Sequence, residues 1–244
     1  MLLEKTYIEV SGQKVPVKVY RERRRSIRFY IGKSGAIMRL PSHLPHDLQQ
    51  KEWLRFCDWV KKKMASKEGG ENLFGKTYQD GDTLTVGSRQ YLLKIENTDN
   101  KTHSGKIEAG KIISLRLAGN SNELQRKKAT QHLLSRLVAQ DFKPAITRRV
   151  MELNHLHFRK TVNSVNLKYN RSNWGSCSTK GNLNLSTCLL FAPDDVIDYV
   201  ILHELAHLVE MNHSPRFWAL VEAAMPDYKE KKKWLRDNWQ KCVF

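Results

Sequence analysis

The sequence predicts an α+β protein: a β-rich basic N-terminal portion over residues 1–120, then a helix-dominated domain over residues 121–244. Three observations predict it. Apolar residues up to about position 117 mostly alternate with polar ones, the period of strands, in runs broken by Gly, Asp and Asn. From position 121 the apolar residues recur at helical spacing. A third run, His203-Glu204-Leu205-Ala206-His207 followed by His213, lies on an almost wholly apolar segment, which places polar chemistry inside a core.

Residues 7–40 alternate as Val15, Val17, Val19, then Ile27, Phe29, Ile31, then Ile37 with Met38 to Leu40, and turn signals fall at Ser11-Gly12 and over 32–35. A small antiparallel sheet is expected, closed by Pro41 and Pro45. Residues 47–67 follow as an amphipathic helix with Trp53, Phe56, Val60 and Met64 inside, and Lys61 to Lys63 suit its C-terminus, where cations oppose the helix dipole. Gly69-Gly70 is a break. A second group of strands, expected to form an antiparallel layer, spans residues 78–117. Residues 121–156 read as a helix capped at Ser121 or Asn122 that Pro144 should kink or split. Residues 162–169 and 182–190 read as strands around a loop at 171–180.

The apolar segment begins with Pro193, Asp194 and Asp195, a helix start that places acidic side chains where the dipole favours them. It should end near Met211 and Asn212, because Ser214-Pro215 reads as the N-cap and first position of a new helix. A last amphipathic helix starts at Pro226-Asp227-Tyr228, its role read as packing.

Formal net charge is +17, with 42 Lys and Arg against 25 Asp and Glu. The excess is uneven: residues 1–68 carry 16 basic and 7 acidic side chains and residues 122–160 carry 9 and 3, whereas 161–244 carry 10 and 9. The basic surface thus lies mostly outside the stretch with the histidines and is suited to attracting a partner. Nucleic acid is a candidate for the N-terminal portion, although no nucleic-acid-binding motif accompanies the charge, and a solvated basic face is the simpler reading. No apolar run approaches membrane-helix length, and the first ten residues lack a signal-peptide layout, so a cytoplasmic protein with no membrane partner is expected. Four cysteines without C-x-x-C spacing fit reduced thiols.

Residues four apart on a helix share a face, so His203 and His207 can reach one metal ion together, with Glu204 beside it. The spacing H-E-x-x-H-x5-H supplies three nitrogen ligands and a carboxylate that need not bind. Three ligands leave one position open for water, the layout of a catalytic zinc site rather than a structural one. A rival for the third ligand is Glu222, about two turns into the next helix. In the 171–180 loop, Trp174 and Gly175 would shape the site, and Ser176 or Arg171 could hydrogen-bond a substrate or a ligand histidine.

His203 to His207, Asn212-His213-Ser214 and Phe217-Trp218, preceded by Trp174-Gly175-Ser176-Cys177, resemble the YgjP-like family of small H-E-x-x-H metallopeptidases, relatives of the SprT-like proteases. Arg23 to Ile27, Gly35 and Pro41 resemble that family's N-terminal strand region. The resemblance implies zinc and a zincin-like catalytic domain, and says little about the substrate.

The leading expectation is a zinc metallopeptidase, a hydrolase with His203, His207 and His213 as ligands and Glu204 as general base, acting on a peptide or protein. One alternative is a nucleotide (pyro)phosphohydrolase that keeps the metal and changes the bond. The other is a non-enzymatic basic nucleic-acid-binding module with a structural zinc.

Overall fold

The structure is a computed structural model that describes residues 2–10, 13–32, 35–65 and 76–244 of the 244-residue chain. The turn expected at Ser11-Gly12, the middle of the one at 32–35, the end of the first helix and the Gly69-Gly70 break lie outside the described residues. Two compact units are present, 1–75 and 76–244.

In the first unit, β1 (Leu2–Val10) pairs antiparallel with β2 (Gln13–Glu22), and β3 (Arg28–Gly32) pairs antiparallel with β4 (Gly35–Pro41). The sheet order is β1-β2-β4-β3, and β2 runs parallel to β4, so the sheet is mixed where the sequence predicted an antiparallel one. Residues 23–27 carry the chain past the neighbour position, and the β3–β4 hairpin then brings β4 back into it. Val15, Val17 and Val19, alternate residues of β2, are buried with Met38 and Leu40 of β4. Helix α1 (His46–Ala65) adds Phe56 and Val60, four apart on one face, to this core.

The second unit begins on the same plan. Strands β5 (Thr83–Val86), β6 (Arg89–Thr98), β7 (Ser104–Glu108) and β8 (Ile112–Ala118) form a sheet of order β5-β6-β8-β7, with two antiparallel pairs flanking a parallel β6–β8 pair. A helix follows again: α2 (Glu123–His157) starts at a capping box in which Asn122 and Gln125 each accept from the other's backbone N–H. It stays one helix through Pro144 rather than splitting there. Leu84, Tyr91, Leu93, Ile113 and Leu115 of the sheet share one core with Leu134, Val138 and Val150 of α2. That shared core places the division of the chain at 75/76, whereas the sequence reading put it at 120/121.

The same core continues into a three-stranded sheet, β9 (Ser164–Lys168), β10 (Gly175–Cys177) and β11 (Asn182–Ser186), ordered β10-β11-β9. The expected 171–180 loop thus contains a short strand, β10, at the sheet edge, and the second expected strand ends at Ser186 in a 3₁₀ turn (Thr187–Phe191). Helix α3 (Asp194–Ala206) buries Val196, Val200, Ile201, Leu202 and Leu205, each contributing about 1.5–3 kcal/mol on full burial. Helices α4 (Pro215–Ala224) and α5 (Tyr228–Asn238) pack on it. No described helix is long and apolar enough to cross a membrane.

Candidate metal centre

Helix α3 ends five residues earlier than the sequence predicted, at Ala206. The backbone tightens there: Leu208 N–H donates to Leu205, and the N–H groups of Val209 and Glu210 both donate to the Ala206 carbonyl. His207 is the C-cap and keeps a right-handed helical conformation, so it still faces the same way as His203 one turn earlier. The early end lets the chain turn back and set His213 immediately before the N-cap of α4, where Ser214 Oγ accepts from Phe217 N–H. The buried ring of Phe217 then lies 4.9, 4.6 and 4.8 Å from the rings of His203, His207 and His213. On the outer side Trp218 stacks on His213 at 5.8 Å, and Tyr228 stacks on Trp218 at 5.4 Å.

One ligand atom from each of the three histidines lies within 4.8 Å of the others. His203 Nε2 and His213 Nε2 face each other at 3.0 Å, while His203 Nδ1 is buried with no hydrogen-bond partner among the described residues. A neutral imidazole has one proton for two nitrogens, so two facing Nε2 atoms carry a lone pair on at least one side whenever either proton sits on Nδ1, and that pair is open to an ion. Burial, with His207 and His213 adding to it, pushes His203 down to about 3, and burial also lowers His207, so both present lone pairs at neutral pH. His207 Nδ1 lies 3.3 Å from the Glu210 carbonyl; as a donor there, it leaves Nε2 as the ligand atom. These donors fit a zinc-type ion.

Glu204 is 5% exposed, and burial raises its carboxyl to about 7. From an ordinary value of 4.5 this is about 3 kcal/mol against the charged form, comparable to what the apolar burial of one or two α3 residues contributes. The carboxyl lies against Gly175 of β10, with no room for a β-carbon between them. Cys177, two residues along, has its thiol pushed up to about 11 by burial and by the charge of Glu204, which suits a packing residue more than a thiolate ligand.

His203 and Glu204 line a cavity of about 340 Å³ together with Trp174, Gly175, Tyr199 and, from α5, Lys232 and Arg236. Of the expected loop residues, Trp174 reaches this cavity; Arg171 and Ser176 do not line it, and Ser176 Oγ instead lies 3.5 Å from Asn184 Nδ2. Glu222 is exposed and ion-paired with Lys229 at 3.4 Å, outside the histidine cluster. Sequence reasoning missed Lys232 and Arg236, having assigned their helix to packing. Their i, i+4 spacing was the available signal: it puts both on one face. The Lys232 ammonium lies 4.3 Å from the Trp218 ring centroid, which ties it to the wall that backs His213.

The sequence profile of the family described as YgjP-like, metallopeptidase domain, matches residues 25–238. A curated relative, the UTP pyrophosphatase of Escherichia coli (strain K12), is 28% identical over 82 residues, 34% of this chain and 49% of that protein. The chain therefore spans about half the length of the curated relative it matches. Two solved metallopeptidase zymogens, abylysin of Pyrococcus abyssi and jannalysin of Methanocaldococcus jannaschii, are each 22% identical to it. Each covers 38% of this chain, and the matches take in 93% and 94% of the zymogen chains at TM-scores of 0.35 and 0.33.

Proposed function

The chain belongs to the YgjP-like metallopeptidase family, and we propose that it is a zinc-dependent hydrolase in which His203, His207 and His213 hold the ion and Glu204 is the general base. The single observation that carries this reading is a buried carboxyl, Glu204, opening onto the same cavity as one histidine of a three-histidine cluster. When bound, a zinc-type ion would make water more acidic and polarise the bond to be cleaved. Glu204, raised to about 7, is matched to accepting a proton from the attacking water and passing it to the leaving group. A purely structural zinc would need neither the base nor the open cavity, which argues against the non-enzymatic module.

Peptide-bond hydrolysis is our first reading of the substrate class. It draws on the family and on β10, an edge strand that could take an extended peptide as an added strand beside Glu204. The second reading, hydrolysis of a nucleotide phosphoanhydride, is favoured by a specific observation: Lys232 and Arg236 line the cavity with His203 and Glu204. Phosphate transfer needs such cations to offset substrate charge, and a relative at 28% identity is a UTP pyrophosphatase. The deciding experiment assays the zinc-loaded protein and its Glu204→Gln and Lys232→Ser/Arg236→Ser variants against a diverse peptide library and against UTP. Peptide cleavage that is lost with Glu204→Gln and survives the cation variant establishes the first reading. Pyrophosphate release lost in both variants, without peptide cleavage, establishes the second. Activity on neither overturns both.

A further inference from the structure

A second cavity, of about 560 Å³, opens between α2 and β9 and shares no lining residue with the metal cavity. We propose that it is a binding site for a small phosphate-bearing ligand of mononucleotide size. Its volume falls within the range of about 300–1,000 Å³ typical of small-ligand pockets.

The lining is built by two periodicities. Residues 132, 136, 140 and 143 follow one another at four, four and three positions along α2, so His132, Arg136 and Lys143 project from one stripe. Helix α2 packs on β9, whose Lys168 supplies a third permanent cation from the opposite wall. Among the described residues no Asp or Glu lines the cavity, and Arg136, Lys143 and Lys168 take part in no ion pair. Arg149, further along α2, is by contrast held by Asp198 at 2.6 Å and by Glu152. Three uncompensated cations around one concavity repel one another and are stabilised by an anion, and Arg presents the forked donors that match phosphate.

Two buried hydroxyls provide an independent observation. Ser135 is 2% and Thr187 0% exposed, both line the cavity, and their oxygens are 2.7 Å apart. Two hydroxyls bonded to each other use one of their two protons, and neither has another partner among the described residues. The second proton is left for an acceptor inside the cavity, the role a phosphate oxygen fills. Beside the cations, Leu167 and the half-buried Tyr169 form an apolar wall suited to a nucleoside rather than to a bare inorganic ion.

The test is calorimetric titration of the zinc-loaded full chain with adenosine monophosphate, which contains no phosphoanhydride to hydrolyse, and competition by inorganic phosphate. Arg136→Ser/Lys168→Ser changes two exposed side chains, and a thermal melt checks that it folds. The expected result is saturable binding, displaced by phosphate and weakened about tenfold or more in that variant. Lys232→Ser/Arg236→Ser should leave it unchanged. Binding that survives Arg136→Ser/Lys168→Ser, or disappears with Lys232→Ser/Arg236→Ser, overturns the proposal. So does single-stranded RNA binding through Arg136 and Lys168 with no saturable uptake of the mononucleotide at millimolar concentration.

Discussion

A β-carbon on Gly175 would lie 2.5 Å from Glu204 Oε1 and 2.7 Å from its Cγ, so the carboxyl of α3 occupies the space that any side chain at 175 would need. This close approach, rather than an unusual backbone angle, is what the glycine of the Trp174-Gly175-Ser176-Cys177 run provides. Gly175→Ala should push Glu204 aside and reduce turnover by about 10- to 100-fold, the scale of an ångström-sized misplacement, while bound zinc stays near one per chain. Metal analysis and steady-state rates check both halves; full activity in Gly175→Ala would show that Glu204 does not need its observed position.

The ligand set is tested by substitution at the third position. His213→Ala should release zinc to a moderate chelator that leaves the parent loaded, and Glu222→Gln should not, because a primary nitrogen ligand matters far more than a distant carboxylate. The opposite pattern in a chelator titration would place the metal toward α4.

Phe217 touches all three imidazoles and is wholly buried. Phe217→Leu keeps most of the apolar volume but removes the flat surface that fixes ring orientation, so zinc affinity should drop about 10- to 100-fold, with stability changing far less than the 3–5 kcal/mol typical of Phe→Ala. Competition with a zinc-binding dye, read beside a thermal melt, separates the two effects. A variant that loses stability and retains zinc affinity would make Phe217 a packing residue only.

Asp141 joins α2 to the β5–β8 sheet, accepting from Tyr91 Oη at 2.6 Å and from Lys111 Nζ and Arg89 Nη1 at 2.7 and 2.8 Å. Burial pushes its carboxyl up, but hydrogen bonds from Lys111, Tyr91 and Arg89 outweigh this and hold it down at about 2. A depressed carboxylate stabilises the fold fully above its unfolded value of about 4, and that contribution is lost as pH falls through about 2. Asp141→Asn should therefore cost on the order of 1–2 kcal/mol at pH 7, with the gap to the parent narrowing between pH 4 and pH 2. A gap that does not change with pH in denaturant unfolding would remove the charge from the explanation.

What was legible in the sequence was local. The cap at Ser121 or Asn122, the Ser214-Pro215 start and the i, i+4 histidines are each decided by side chains within one turn of one another. Strand alternation identified the buried face of β2 but not its neighbours, since a period of two says which side faces inward and nothing about whether β4 lies alongside in parallel. Three-residue β10 is too short to have a period. The early end of α3 was hidden because Leu208 and Val209 prolong the apolar helical pattern past it. Lys232 and Arg236 were visible as a pair on one face, but which cavity that face borders is decided by how α5 packs on α3.

The most direct measurement of the central claim is made on Glu204→Gln, which preserves size and hydrogen bonding but cannot take a proton. Zinc content and turnover should be determined on the same preparation, with whichever of peptide or UTP the parent hydrolyses. Zinc should be retained at the parent's level and turnover reduced by a factor on the order of 100 or more. Unchanged turnover in a fully zinc-loaded Glu204→Gln variant would contradict that claim.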